Sequence, residues 1–288
     1  MPEVLGLIAG DGGFPQEIAC AAVKQGCHVH AVGFHGLTRP EVLESASACS
    51  WHHLGQVDAL LDDLRQAGVS SLVMAGKIDK VHLMATPPGI VQPDARGEQI
   101  LENMSDLSDR ALMGVIADLL EREGFSLRPQ AEYVPNLLVR GGPLGASLPS
   151  PQQWHDLAHG WPIARQIADS GVGQCIVVKN RSVLAVEASE GTDTTIQRAI
   201  AMAGGGLTVI KLAAFDQDPR FDLPAVGLDT LTPLVGREPS LLAIEAHSTL
   251  VLQRKEMTEL ADAQGIALLA VDEAEENAFG LAEGNFQQ

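Results

Sequence analysis

Basic residues are in short supply in this chain. Nineteen Lys and Arg stand against 37 Asp and Glu, a formal net charge of −18. Binding to a nucleic-acid backbone needs a surplus of cations, so nucleic acid is excluded as a partner, and so is a broadly basic membrane-binding face. An anionic small molecule is not excluded, because a metal ion and a few local cations reverse the field inside a cleft. Aromatics make up only 4% of the residues, so aliphatic side chains must fill the interior; a hydrophobic content of 45% supplies them and argues against global disorder. No apolar run reaches the ~18 residues of a membrane span, and Met1-Pro2-Glu3 lacks the basic n-region of a secretory leader. The expectation is a soluble, cytoplasmic protein, with any bilayer contact peripheral. The cysteines at 20, 27, 49 and 175 form no C-x-x-C, and the first two are wrongly spaced for a zinc knuckle, so they read as reduced, mostly buried thiols.

Several catalytic signatures are also missing. There is no G-x-S-x-G elbow, no S-x-x-K with partner motifs and no Walker A loop. His52 and His53 are adjacent, and neighbours on a strand point to opposite faces, so a structural or surface role is expected for them. The remaining histidines read as scattered, and zinc is not expected. Gly10-x-Gly12-Gly13 follows an apolar run but lacks the third glycine of a dinucleotide fingerprint, Pro15 standing there instead. Gly33-Phe34-His35 offers no acid for a ribose hydroxyl. The turn still presents backbone N–H groups to a phosphate or a uracil ring; tight strand-to-helix packing is the structural reading of the same glycines.

What is present is a two-domain α/β pattern, since 288 residues are many for one domain. Val4 to Ala9, Val29 to Val32 and Ser70 to Ala75 are short apolar runs, the first and third stopped by glycine, with a helical pattern from Pro15 to Lys24 between the first two. That alternation predicts a Rossmann-like parallel sheet. Asp106 to Glu123 repeats apolar residues at helical intervals. Glycines and prolines from Arg128 to Pro151 break the pattern. We therefore expect an N-terminal domain over 1–132, a linker over 133–141 and a mixed α/β catalytic domain over 142–288, the active site lying between the domains. In the second half, Gln174 to Lys179 and Ser182 to Ala188 flank Asn180-Arg181 as a hairpin. Leu207 to Ala213 is a strand, Leu241 to Glu245 pairs with Thr249 to Leu252, Lys255 to Gln264 is a helix and Ile266 to Val271 a last strand. The acidic tail 273–288 is expected to fray.

Two acidic stretches concentrate the chemistry. After the run Val183 to Val186 come Glu187 and Glu190, and Gly191-Thr192-Asp193 then open a helix from Thr194 to Met202. Carboxylates at a strand end and a Thr-Asp pair at a helix start suit a hydrated divalent ion holding a phosphate, although the same residues make a plain cap with solvated acids. The second stretch, 216–230, follows Lys211 and holds four acids, Arg220, two prolines and Gly227. Within it, Asp222 sits before Leu223-Pro224, where a stiffened loop buries its flanks and leaves the carboxylate for a cleft; a turn-forming Asp is the alternative. Gly76-Lys77 closes another strand, and Lys77 either meets a phosphate or is a solvated loop lysine. Magnesium, or manganese, suits carboxylates, phosphate and water better than zinc does.

Together, AVEASEGTD, the K-(x)8-R-F-D-L-P-x-V-G-x-x-T pattern from Lys211 and the opening GLIAGDGGFP resemble the LpxI-type UDP-2,3-diacylglucosamine pyrophosphatases of lipid A synthesis. The resemblance runs from Gly6 to about Asp272. It implies metal-dependent hydrolysis of UDP-2,3-diacylglucosamine to UMP and 2,3-diacylglucosamine 1-phosphate (lipid X), with water attacking the α-phosphorus. It implies catalytic roles for Asp222, Asp193, Thr192, Lys211 and Arg220, and metal-ligand roles for Asp222, Asp193, Glu190 and Glu187. Substrate contacts are implied at Gly10, Asp11, Gly12, Gly13, Phe14, Gly76, Lys77, Gly191 and Thr192. Asp109 matches an Asp of the family and is a secondary ligand candidate, whereas Arg110 departs from the acid expected beside it. The resemblance further implies a homodimer, a nucleotide-linked glycolipid as partner, peripheral contact with the inner membrane and an apolar channel for acyl chains. The rival readings are a non-catalytic nucleotide-sugar sensor and an NAD(P)-dependent oxidoreductase.

Overall fold

A computed structural model describes residues 3–78, 89–104, 109–272 and 276. The chain divides into two compact α/β units, Met1–Pro135 with Asp218–Asp222, and Asn136–Gln217 with Leu223–Gln288.

The first unit is built on five parallel strands: β1 (Val4–Ala9), β2 (His28–Phe34), β3 (Ala48–His52), β4 (Ser71–Ala75) and β5 (Ser126–Leu127), in the order β3-β2-β1-β4-β5. Among the described residues its helices are α1 (Gly13–Lys24), α2 (Val57–Gln66), α3 (Ala95–Asn103) and α4 (Asp109–Arg122). Strands covered on both faces read as continuous apolar runs, and Leu5, Leu7, Val29, Ala31, Leu72 and Val73 have no exposed surface. Val32, Leu72 and Met74 pack with Leu61 and Leu64 of α2 and with Ala117 and Leu120 of α4. On the opposite face Ile18, Ala19 and Ala22 bury the inner side of α1. The chain leaves β1 toward β2 and β3, then returns to β4 on the other side. The carboxyl ends of β1 and β4 therefore flank a topological switch point, where open α/β sheets bind ligands.

The second unit holds β6 (Gly142–Pro143), β7 (Cys175–Lys179), β8 (Ser182–Val186), β9 (Thr208–Lys211), β10 (Ala225–Val226), β11 (Leu241–Glu245), β12 (Leu250–Val251) and β13 (Ala267–Val271). Its helices are α5 (Pro151–Asp169), α6 (Thr192–Ala203), α7 (Leu228–Leu231) and α8 (Arg254–Ala263). Six of these strands form one mixed sheet, β6-β13-β11-β9-β7-β8, in which β9, β11 and β13 are parallel. Alternation splits the core in two. Val177, Val209, Leu242 and Leu268 face α6, α7 and α8, while Ile176, Ile210, Leu241 and Leu269 face α5. Gly160 lets α5 approach the sheet, since a Cβ there would stand 2.5 Å from Ile210 Cδ1.

The expected hairpin is present. β7 and β8 are antiparallel, and Asn180 and Arg181 both take the left-handed conformation (φ 52° and 56°) that such a turn needs. The expected helix after Gly191 begins two residues earlier, at Thr192. Three expectations need correction. Leu241–Glu245 does not pair with the following strand; β11 lies between β9 and β13, and β12 pairs in parallel with β10. The 19-residue helix α5 was not foreseen, although Ser150 and Gln153 form a capping box and Pro151 opens it. The cysteines are free thiols, but only Cys175 is buried; Cys20 and Cys27 are half-buried, and Cys49 is exposed on β3. Ser108, the Asp109 and Arg110 side chains, and the tail apart from Glu276 lie outside the described residues.

Candidate functional site

In the N-terminal unit the two predicted glycine loops meet. The Asp11 N–H donates to the Lys77 carbonyl and the Lys77 N–H to the Asp11 carbonyl, both at 2.8 Å. Small residues make this approach possible. A Cβ on Gly10 would lie 2.5 Å from Lys77 O, and one on Gly76, whose φ is +93°, would lie 2.8 Å from Asp11 O. Gly12 caps α1 at φ 103°, no side chain caps its first turn, and no acid occupies that turn, so the helix start suits an anion. Lys77 is exposed beside it, whereas the Phe14 side chain is buried and leaves only its backbone to a ligand. Arg39 was not foreseen from the sequence. Its Nε donates to both carboxylate oxygens of Asp11, at 2.9 and 3.0 Å. Partial burial pushes the Asp11 carboxyl up, but hydrogen bonds from Arg39 and the Gly12 N–H outweigh this and hold it below the usual carboxylate range.

In the C-terminal unit the first acidic stretch and Lys211 converge. Lys211 Nζ, on a residue 8% exposed at the end of β9, donates to Thr192 Oγ1 at 2.9 Å and to the Ala225 carbonyl at 3.1 Å. Thr192 Oγ1 donates in turn to Glu187 Oε1 at 2.9 Å, and Glu187 Oε2 accepts from the Gln174 N–H at 3.2 Å. The result is a buried ammonium–hydroxyl–carboxylate chain at the start of α6. Gly191 (φ 81°) caps that helix with no side-chain hydrogen bond, and half-buried Asp193 sits in its first turn. Glu190 is turned to Arg198 as an ion pair and accepts from Thr195. A cation would therefore have to compete with existing bonds at Glu187 and Glu190. Among the described residues no three His, Cys, Asp or Glu side chains gather as a metal cage.

The segment after β9 divides. Asp218–Asp222 groups with the N-terminal unit, and Phe221 packs against the core of α2 and α4. Arg220 donates to Asp218 (2.7 Å from Nη2) and to Glu121 (2.6 Å from Nη1), and its guanidinium holds the Asp218 carboxyl below the usual carboxylate range. Any phosphate would share Arg220 with these two acids. Asp222 is half-buried, and its N–H donates to the Asp218 carbonyl at 3.0 Å.

Histidines are distributed differently from the sequence reading. His52 and His53 do face opposite ways. His52 meets Asp63 Oδ2 at 3.2 Å, together with His30 and Ser50, while the His53 ring lies 4.8 Å from that of His35. The expectation that the remaining histidines are scattered, with no H-x-x-x-H pair, needs correction: His155 and His159 are spaced i, i+4 on α5. A cavity of about 470 Å³ at the carboxyl ends of β9, β11 and β13 was likewise unforeseen. Arg165 bridges its wall, donating to Glu245 at 2.5 Å and to the Ala213 carbonyl at 2.7 Å. The proline and glycine residues that hid α5, at 151, 160 and 162, also hid Arg165.

Comparison with known proteins follows the same division. Residues 4–137 match the model of the LpxI N-terminal domain, and residues 140–269 match that of the LpxI C-terminal domain. Over 282 residues the chain is 29% identical to the UDP-2,3-diacylglucosamine pyrophosphatase LpxI of Caulobacter vibrioides, covering 94% of this chain and 98% of that protein. With both LpxI domains matched in order along nearly the whole sequence, the chain belongs to the LpxI family.

Proposed function

We propose that the protein hydrolyses UDP-2,3-diacylglucosamine to UMP and 2,3-diacylglucosamine 1-phosphate in lipid A biosynthesis, water attacking the α-phosphorus. The observation that supports this beyond family membership is the buried Lys211–Thr192–Glu187 chain at an uncapped helix start. Hydrolysis of a phosphoric anhydride forms little new covalent structure on the protein, so the task is to neutralise oxygens and aim a water. Glu187 fixes the Thr192 hydroxyl and balances the lysine. The ammonium and the first-turn N–H groups of α6 then present a positive, preorganised surface to a phosphate. Asp222 is assigned the catalytic carboxylate that orients the attacking water, and Arg220 a supporting cation. The glycine turn over Gly10–Gly13, with Gly76 and Lys77, takes the nucleotide side.

Magnesium belongs to this reading in one form. The ion keeps several waters and usually takes one or two protein carboxylates plus substrate phosphates, so the donor set described fits an ion brought with the diphosphate rather than a protein cage. Asp193 would hold it, and bound there it would offset the charge of the diphosphate oxygens. A homodimer and peripheral contact with the inner membrane are further parts of the proposal, read out by sedimentation and vesicle flotation. No helix among the described residues is long and apolar enough to cross a membrane.

Release of UMP from purified protein and UDP-2,3-diacylglucosamine, followed by chromatography, is the test. Wild type turns over, and Asp222→Asn loses at least about a hundredfold in kcat, the usual scale for a group acting in the transition state. A wild type that binds the substrate and releases no UMP would identify a nucleotide-sugar sensor instead.

A further inference from the structure

The proposed function accounts for the phosphates of the substrate but leaves its base without a seat. The parallel register supplies one. Gly33 of β2 lies opposite Trp51 of β3, and alternation puts His35, Trp51 and His53 on one face at the carboxyl edge of the sheet, the edge that also carries the Gly10–Gly13 turn. A Cβ on Gly33 would stand 2.9 Å from Trp51 Cζ3, so a glycine is needed for the indole to lie against the sheet. The His35 ring is 5.8 Å from the Trp51 ring and 4.8 Å from the His53 ring, tilted by 31° and 41°. His35 is exposed; Trp51 and His53 are half-buried. His53 Nδ1 is shut off from solvent and has no hydrogen-bond partner. A buried polar nitrogen left unpaired costs stability, and such groups in folded proteins call for a reason.

We infer that the sheet face formed by Trp51 and His53, beside which the His35 imidazole lies, is the docking site of a pyrimidine base. The His35 ring marks the place of a planar ring near both the Trp51 indole and the His53 ring that carries the unpaired nitrogen. A uracil taking that place stacks on Trp51 and donates its N3–H to His53 Nδ1, which accepts in the tautomer protonated at Nε2. The ribose phosphate then runs toward the glycine turn, with Arg39 and Lys77 at hand. This assignment rests on the proposed nucleotide substrate, and it adds a base-reading function to three residues that the family resemblance did not mark.

Titration calorimetry of the full-length protein with UMP, 3-methyl-UMP and inorganic pyrophosphate tests it, with thermal melts to verify folding. Trp51→Leu is expected to weaken UMP about tenfold or more, the scale of losing one base stack, with pyrophosphate unchanged. Trp51→Phe keeps most of the affinity. Wild type prefers UMP to 3-methyl-UMP, and His53→Ala binds the two alike. His35→Ala binds UMP as tightly as wild type or more tightly. UMP binding unaltered by Trp51→Leu and His53→Ala overturns the inference, as does an equal loss for UMP and pyrophosphate. If wild type still hydrolyses UDP-2,3-diacylglucosamine in that case, the base site alone is wrong; if wild type neither binds UMP nor turns over, the proposed function falls with it.

Discussion

A lysine ammonium inside a folded unit needs acceptors, and Lys211 has two: the Thr192 hydroxyl and the Ala225 carbonyl. Neither is a carboxylate. The charge is balanced one step away, at Glu187, through the Thr192 hydroxyl. That arrangement leaves the lysine available to an incoming anion in a way that direct pairing with Glu187 would not. Removing the relay should therefore affect turnover. Thr192→Val, which keeps the shape and deletes the hydroxyl, should lower kcat for UMP release about a hundredfold, and Lys211→Met by more. Wild-type kcat in both would show the chain to be purely structural. Asp63 makes a second residue-scale case. Partial burial pushes its carboxyl up, but hydrogen bonds from Ser50, His30 and His52 outweigh that and hold it below the usual carboxylate range. A carboxyl depressed in the folded state stabilises above its unfolded value of 3.8, and that contribution fades as pH falls through the folded value. Melting temperatures between about pH 6 and pH 3 should drop more steeply for wild type than for Asp63→Asn. Parallel profiles would contradict this.

At the scale of elements, the β7–β8 hairpin shows how a buried acid stabilises a turn. Asn180 and Arg181 both sit at positive φ without being glycine, a conformation that L residues adopt at some cost. Asp156, 1% exposed on α5, accepts the N–H of Asn180 at 3.0 Å and that of Arg181 at 2.6 Å. Asp156→Ala should cost about 2–4 kcal/mol in urea unfolding, because it orphans two turn N–H groups that bond to a charge. A loss below about 0.5 kcal/mol would mean that the turn conformation does not depend on those bonds. The hairpin was legible in the sequence, since two apolar runs flanked a polar pair. The brace was not, because α5 itself was missed. Pro151, Gly160 and Pro162 look like breakers, yet Pro151 opens the helix and Gly160 serves its contact with the sheet. β12 was misassigned for another reason. A two-residue strand carries no periodicity, and its partner β10 lies far back in the chain.

At the scale of the molecule, sequence patterns revealed two α/β units and the loops that follow their strands, because glycine, apolar runs and acids leave local marks. They did not reveal partners brought together by sheet register. Arg39 beside Asp11, and Trp51 beside His35, depend on how β2 pairs with β1 and with β3, which no local pattern records. The cations that matter are few, in keeping with a chain of net charge −18. Lys77 and Arg39 stand near the glycine turn, and Lys211 at the start of α6. The most direct measurement of the account is hydrolysis of UDP-2,3-diacylglucosamine in ¹⁸O-water, with mass spectrometry of both products. Attack at the α-phosphorus places the heavy oxygen in UMP and leaves 2,3-diacylglucosamine 1-phosphate unlabelled. Label in the glycolipid phosphate, or no UMP formed, would contradict it.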